Sequence, residues 1–188
     1  MPSFAAEAHE LFLGDRATSE GSATTFADNM KLPVHRWYRY SAGYSSEWAG
    51  RLLHHWGASR VLDPFGGSGT TCLAAQERGV ASVGVEVHPV VARIAQTKLR
   101  WTADADKLRL RVREILDRAE AEVPVKVPTS PLIAKCFPER EPLLDLLRVR
   151  DAVLEQGDRD EISDLLWLAF VSIIRACSPA GTAQWQYV

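Results

Sequence analysis

The pattern of apolar and polar residues predicts helices that alternate with short strands in the first half of the chain. Apolar side chains recur at helical spacing between Ser46 and Trp56, and Gly57 follows them as a helix-ending glycine does. The sequence RVLD at 60–63 predicts a strand, and a helix over 70–78 follows the glycines behind it. This part of the chain is therefore expected to run from helix to strand to helix.

A second strand and a second helix continue the pattern. The sequence ASVGVEV at 81–87 predicts a strand, and the segment 89–101 predicts a helix with Pro89 in its first turn, where a missing N–H is tolerated. A strand, a glycine-rich turn, a helix, a strand and a helix in this order begin a doubly wound parallel sheet. We therefore expect an α/β fold, a partial Rossmann-like doubly wound sheet followed by a helical extension.

The extension is predicted from three further segments with helical character, at 105–123, 141–157 and 160–178. The last of them is apolar nearly all round, so it is expected to be buried. The segment 123–142 holds five prolines and predicts a linker or an extended stretch of chain.

These patterns divide the chain into three parts. Residues 1–30 are mostly small, polar and weakly periodic, and we expect a loosely held arm. Residues 31–102 form the α/β portion, and residues 103–188 form the helical extension with its proline-rich linker. Parallel sheets are normally covered on both faces, and two parallel strands alone leave most of their edges unpaired. The predicted strands are therefore expected to be part of a larger sheet.

Composition narrows the class of protein. The chain has 188 residues, of which 46% are hydrophobic, as in an ordinary globular domain. A net charge of -2 gives no overall basic field for binding nucleic acid. The three cysteines show no C-x-x-C spacing, which argues against a disulfide framework and a zinc site and favours a cytoplasmic protein without a metal. No segment approaches the ~18 apolar residues of a membrane span.

The glycine-rich stretch at 61–71, VLDPFGGSGTT, predicts a close approach of backbone to ligand. A phosphate-binding P-loop needs a lysine in this region, but the sequence has none between Lys31 and Lys98. The glycines also do not match the G-x-G-x-x-G spacing of a dinucleotide site. Asp63 ends the first strand and Glu86 lies at the end of the second, where an acid can bind ribose hydroxyls. A cofactor with an ammonium group would explain the acid at the first turn, because that acid would repel a phosphate.

The sequence DPFGGSGTT at 63–71 resembles the first motif, D-P-F-x-G-S-G-T-T, of the S-adenosylmethionine-dependent methyltransferases that modify adenine N6 or cytosine N4 in DNA. The sequence GVEVHP at 84–89 is similar to the second motif of that family. The upstream segment YRYSAGYSSEWAGRLL resembles the segment that closes over the methionine end of the cofactor. The resemblance covers residues 34–101 and implies a class I methyltransferase fold.

The resemblance also implies a cofactor, S-adenosylmethionine, and a role for each motif. Asp63 would lie near the amino group of the cofactor, directly or through water, Glu86 would bind the ribose, and Tyr40 with the residues after it would contact the methionine portion. The cofactor-binding residues implied in this way are Tyr40, Ser41, Ala42, Asp63, Phe65, Gly66, Gly67, Ser68, Gly69, Thr70, Thr71, Glu86 and Val87.

The catalytic motif of the same family, D/N/S-P-P-Y/F/W, is not found in the sequence, so no catalytic residue is assigned. Members of the family use it to bind the exocyclic amine of a flipped base and transfer the methyl group directly. Three interpretations remain: a subunit whose second polypeptide supplies the motif, the front part of a longer enzyme, or a cofactor-binding relic without transfer activity. The expected function is that of a DNA methyltransferase of the restriction-modification type. An RNA amino-methyltransferase and a noncatalytic binding or scaffold protein are the alternatives.

Overall fold

The computed structural model describes residues 26–40, 42–121, 124–157 and 160–179. The chain divides after Trp101 into two compact units. The first unit contains the glycine-rich stretch, and its helices and strands follow in chain order. They are two short 3-10 helices, Phe26–Lys31 and His35–Trp37, then α1 (Ser46–His55), β1 (Arg60–Asp63), α2 (Thr70–Gln76), β2 (Ala81–Gly84) and α3 (Pro89–Lys98).

The two strands pair in parallel, with Arg60 opposite Ala81 and Asp63 opposite Gly84. The second strand was predicted to reach residue 87 but ends at Gly84, because β1 passes into the glycine turn after Asp63, and Val85 then bonds to Asp63 and Gly66 outside the strand ladder. The described residues therefore form a mixed helix-and-strand structure around a two-stranded parallel sheet. The fuller doubly wound sheet stays a prediction.

The core of the first unit lies where α1 packs against α2. Ala49 and Leu53 of α1 contact Ala74 and Ala75 of α2, and both alanines of α2 are fully buried. Alanine side chains allow two helices to approach closely, so α2 is fixed between α1 and the sheet. The helices predicted around residues 46–56, 70–78 and 89–101 are thus confirmed, each ending one to three residues early.

The segment preceding α1 differs from its prediction. Residues 26–30 were placed in the loosely held arm, but they belong to a 3-10 helix in which Phe26 and Asn29 are buried. The Phe26 side chain packs against Gly43, where a Cβ atom would come within 2.4 Å of the ring. Six residues are too few to show a helical period in sequence, so this contact decides the structure. Residues 1–25 lie outside the described residues.

The second unit contains four helices among its described residues: α4 (Ala105–Glu120), α5 (Pro131–Cys136), α6 (Arg140–Leu154) and α7 (Glu161–Ile174). Its core includes Ile115 of α4, Val153 of α6 and Leu166 of α7. The proline-rich segment is not extended throughout, because α5 lies within it and begins at Pro131, a residue suited to the first turn of a helix. Helix α7 was expected to be buried because it is apolar nearly all round; it buries Leu165, Leu166 and Leu168, whereas Ile173 is 43% exposed.

The described part of the chain offers no simple covalent or metal framework. The three cysteines are free, with Cys72 buried and the other two half-buried. No group of three or more histidine, cysteine or acidic side chains in the described ranges is arranged to hold a metal ion. None of the helices described is long and apolar enough to cross a lipid bilayer.

The last residue of α3, Lys98, has a buried basic side chain. Lys98 is fully buried, with Nζ 3.5 Å from the Tyr38 carbonyl oxygen and 5.8 Å from the centre of the Phe26 ring. Burial lowers the pKa of Lys98 from 10.5 to about 8. Nearby, burial and then the charge of Lys98 lower the pKa of His35 to about 4, so the imidazole is neutral at pH 7. Keeping Lys98 charged at neutral pH therefore reduces the stability of the fold.

Replacing Lys98 with methionine is expected to stabilise the chain at pH 7 by up to about 3 kcal/mol, because one unit of pKa shift corresponds to about 1.4 kcal/mol. Between pH 8 and 10.5 the unfolded wild-type chain binds more protons at this lysine than the folded chain does, so wild-type stability rises with pH there. Lys98→Met should remove that rise. Urea unfolding from pH 7 to 10.5 measures both effects. The exposed pair of Lys31 with Asp28 gives the control Lys31→Met, which should leave stability nearly unchanged at every pH. Destabilisation by Lys98→Met at every pH would contradict the prediction.

Position 69 requires glycine for two reasons, its backbone angle and the lack of space for a Cβ atom. Comparison with Gly57 separates the two effects. Gly69 has φ of 86°, and an added Cβ atom would lie 3.0 Å from Cβ of Ala95 on α3. Gly57 has φ of 54° but nothing within 4 Å of the added atom. Gly57→Ala should therefore cost about 1 kcal/mol from strain alone. Gly69→Ala should cost about 2–3 kcal/mol, because it adds crowding. Equal losses in thermal or urea unfolding would show that the contact with α3 contributes nothing.

Candidate functional site

The glycine turn, residues 64–69, joins the end of β1 to the start of α2. Half of its residues are glycines, so much of its backbone is not covered by side chains. Gly67 and Gly69 both have positive φ, a conformation that other residues rarely adopt. The Gly69 N–H donates to the Gly66 carbonyl oxygen at 2.9 Å, and the Gly66 N–H donates to the Val85 carbonyl oxygen at 2.7 Å. The turn is thereby closed on itself and attached to the chain beyond β2.

Asp63 is held by groups from three directions. Its Oδ1 accepts the Phe65 N–H at 3.0 Å, and its Oδ2 accepts the Thr71 hydroxyl at 2.5 Å and the Tyr44 hydroxyl at 3.1 Å. The hydroxyls of Tyr44 and Thr71 are also in hydrogen-bond contact with each other. Thr71 donates to the carboxylate, and Tyr44 donates either to the carboxylate or to the Thr71 oxygen. We call Tyr44, Thr71 and Asp63 the hydroxyl triangle.

Glu86 connects the second strand to the same turn. Its Oε2 accepts the Gly67 N–H at 3.0 Å, and its Oε1 accepts the His88 N–H at 2.8 Å. Because the strands are parallel, Asp63 and the segment after β2 meet at one edge of the sheet. In α/β proteins, ligands bind at this carboxyl edge of the strands. Two carboxylates and a bare glycine turn therefore share the position where a ligand is expected.

Tyr44 is half-buried beside the turn and was not among the predicted site residues. Its ring makes an edge contact with the Trp48 ring at 5.8 Å between centroids. Burial raises the pKa of Tyr44 to about 12, and the Asp63 charge contributes to the rise, so the hydroxyl stays protonated and can donate at neutral pH. In the sequence, Tyr44 lies within the upstream segment YRYSAGYSSEWAGRLL, which resembles the family's cofactor-closing segment, but it was not named as a site residue, and nothing there indicated that it reaches Asp63.

Asn29 fixes the segment that carries Tyr44. Its Nδ2 donates to the Tyr44 carbonyl oxygen and its Oδ1 accepts the Ser46 N–H, both at 2.8 Å. Asn29 is 1% exposed, so both contacts are shielded from water. This residue was also missed, because the arm to which it was assigned gave no sign of packing against α1.

The predicted site residues fall into groups with different surroundings. The Tyr40 ring lies against Gly67, where an added Cβ atom would be 3.2 Å from Cε1. Phe65 and Val87 are 86% and 94% exposed beside the two acids. Ser68 and Thr70 are buried, whereas Ala42 is exposed. The Ser68 hydroxyl has no hydrogen-bond partner within the described ranges. Ser41 lies outside the described residues.

Removing the Asn29 amide should destabilise the chain. Asn29→Ala leaves the Tyr44 carbonyl and the Ser46 N–H without partners in a buried position, which we expect to cost about 2–3 kcal/mol in urea unfolding. Asp28→Ala is the control, since this neighbouring side chain is exposed and, among the residues described, pairs with Lys31 alone, at 2.8 Å; it should cost less than about 1 kcal/mol. A loss no larger for Asn29→Ala than for the control would contradict the role of Asn29.

Comparison with known proteins finds a match to the segment that carries the glycine turn. Residues 58–97, from just before β1 to near the end of α3, match a family model described as DNA methylase. Three curated relatives also match. The Type II methyltransferase M.BsoBI of Geobacillus stearothermophilus is 29% identical over 119 residues, which are 61% of this chain and 23% of that protein. M.AvaI of Anabaena variabilis is 30% identical over 39% of this chain and 16% of its own length. M.MjaII of Methanocaldococcus jannaschii is 35% identical over 32% of this chain and 11% of its own length.

The matched region therefore spans less than a quarter of the length of these relatives. No solved structure matches the chain. The family model matches the segment that carries the glycine turn and both acids. Residues 58–97 of the chain are therefore similar to DNA methylases, and the chain is similar in part to Type II methyltransferases.

Proposed function

We propose that this chain is the cofactor-binding portion of an S-adenosylmethionine-dependent DNA methyltransferase of the restriction-modification type. Its substrate would be the exocyclic amino group of adenine or cytosine in DNA. The observation that carries the proposal is the bare glycine turn flanked by Asp63 and Glu86 at one edge of a parallel sheet. The relatives named as Type II methyltransferases support the reaction class.

The surroundings of Asp63 fit a cationic ligand group. A carboxylate has about four lone-pair positions, and the inner oxygen, Oδ2, is enclosed by the two hydroxyls of the hydroxyl triangle. The outer oxygen, Oδ1, has only the Phe65 N–H as its partner in the described structure. One acceptor position therefore stays open on the exposed side. An ammonium group satisfies that position, whereas a phosphate would be repelled by the carboxylate.

The surroundings of Glu86 fit a nucleoside. Its two oxygens each accept one backbone N–H, so each retains a lone pair for a ribose hydroxyl. Phe65 and Val87 expose apolar side chains beside the two acids, and such surfaces suit the faces of a purine ring. The Ser68 hydroxyl, buried without a partner within the described ranges, is a further polar group that a ligand or water could satisfy.

S-adenosylmethionine supplies an activated methyl group when it is bound. The residues of this chain would hold it: Asp63 at the amino group, Glu86 at the ribose, and Tyr40, which lies against Gly67, at the methionine portion. Gly66, Gly67 and Gly69 keep the backbone bare, so a ligand can approach it. The chain would thus bind and orient the cofactor.

The group that binds the target base would come from elsewhere. The sequence contains no D/N/S-P-P-Y/F/W motif, so we propose that a second polypeptide or a further part of the protein supplies it. Leu62 and Val83 lie opposite each other in the sheet and are 64% and 60% exposed. Parallel sheets are normally covered on both faces, so this exposure supports a missing partner. The missing motif equally favours a second candidate, a cofactor-binding protein without transfer activity.

Titration calorimetry with S-adenosylhomocysteine tests cofactor binding. We expect micromolar binding to the wild-type chain and at least a hundredfold weaker binding by Asp63→Ala. The substitution removes the charged contact between the Asp63 carboxylate and the ammonium group of the ligand. Asp28→Ala removes an exposed carboxylate from the same unit and should bind like the wild type. Circular dichroism of each variant confirms that it is folded.

Two results would count against the proposal. Equal binding by wild type and Asp63→Ala would show that the acid at the turn does not contact the ligand. An absence of binding, both for the chain alone and for the chain mixed with a polypeptide that carries the catalytic motif, would contradict cofactor binding itself.

A further inference from the structure

We propose that Tyr44 is a positioning residue for Asp63, and that its hydroxyl determines how well the site binds a ligand with an ammonium group. The inference rests on the proposed function. It concerns a side chain outside both the glycine turn and the strand that carries the acid. The hydroxyl would act through the carboxylate and would not touch the ligand.

The phenol of Tyr44 is held independently of Asp63. Asn29 binds its backbone carbonyl, the Trp48 ring contacts its ring edge, and the ring packs at the border of the α1–α2 core. The position of the hydroxyl is therefore set by the buried part of the unit, before any ligand is present. A rigid donor of this kind can orient a partner without itself becoming ordered on binding.

The hydroxyl triangle then fixes one end of the carboxylate. Thr71 donates to Oδ2 at 2.5 Å, and the Tyr44 oxygen lies 3.1 Å from the same atom. The Phe65 N–H donates to Oδ1 at 3.0 Å, on the exposed side of the carboxylate. With Oδ2 turned inward, the remaining lone pair of Oδ1 faces the exposed side. Without the Tyr44 hydroxyl, one side of the inner oxygen loses its donor and the carboxylate can rotate.

This arrangement predicts an effect on one part of the ligand only. S-adenosylhomocysteine carries an ammonium group that can reach Asp63, whereas 5′-methylthioadenosine has the same nucleoside but no amino-acid portion. A loss of carboxylate positioning should weaken binding of the first compound and leave that of the second unchanged. A general loosening of the fold would weaken both.

The test is titration calorimetry of the full chain with both compounds. Tyr44→Phe keeps the ring and its contacts, and we expect it to bind S-adenosylhomocysteine roughly tenfold more weakly, as for a lost hydrogen bond to a charged group, with unchanged binding of 5′-methylthioadenosine. Tyr38→Phe removes the same atom from a tyrosine outside the hydroxyl triangle and should bind both compounds like the wild type. Thr71→Val breaks the triangle from the α2 side and should show the same selective loss, which keeps the test open if Tyr44→Phe does not fold.

Each other outcome contradicts the inference. Equal weakening for both compounds would make Tyr44 a structural residue, and no weakening for either would make its hydroxyl irrelevant to the site. These results, in a chain whose wild type binds, overturn the positioning role and leave the proposed function standing. A wild-type chain that binds neither compound, even with a polypeptide that carries the catalytic motif, contradicts the proposed function and the positioning role together.

Discussion

The parallel pairing of two four-residue strands is the constraint on which the candidate site depends. Because β1 and β2 run in the same direction, the acid that ends the first strand and the acid that follows the second meet at one edge. The connection between the first strand and α2 must turn sharply there, and it does so with Gly67 and Gly69 in conformations that other residues rarely adopt. Glu86 then binds the Gly67 N–H, so the turn and both acids form one hydrogen-bonded unit.

Behind that edge, buried polar groups hold the site in place. Asn29 attaches the first 3-10 helix to the segment before α1. Tyr44, which lies in that segment, contacts the Asp63 carboxylate through its hydroxyl. Hydrogen bonds of this kind contribute modestly when made and are costly when one partner is missing, so they specify a single arrangement more than they add stability. Lys98 shows the opposite case, since burial of its amine opposes its charge and lowers its pKa to about 8. The unit thus gives up some stability beside the candidate site.

The described residues combine the proposed cofactor site with a sheet of two strands. Leu62 and Val83 are exposed, and the outer edges of both strands have no partner strand among the described residues, so this sheet lacks the cover that parallel sheets elsewhere have. The proposed binding of a nucleoside cofactor uses the turn, the two acids and Tyr40, all within the first unit. Transfer to a base requires a group that this sequence does not carry. For this reason we propose that this chain binds the cofactor and that another polypeptide or a further part of the protein supplies the group for transfer.

Residues close together in the sequence determined the helices of the first unit and the chemistry of the glycine turn. Helical spacing predicted α1 and α2, the proline at 89 marked the start of α3, and the motif at 63–71 indicated the family, because each of these features depends on residues close together in the chain. Tertiary structure decided where β2 ends, since that depends on the course of its partner after Asp63, and it ordered the helix at Phe26–Lys31 through contact with Gly43. It alone identified Asn29 and Tyr44 as supports of the site. Their partners lie 15 to 27 residues away along the chain, and no local pattern records a contact across that distance.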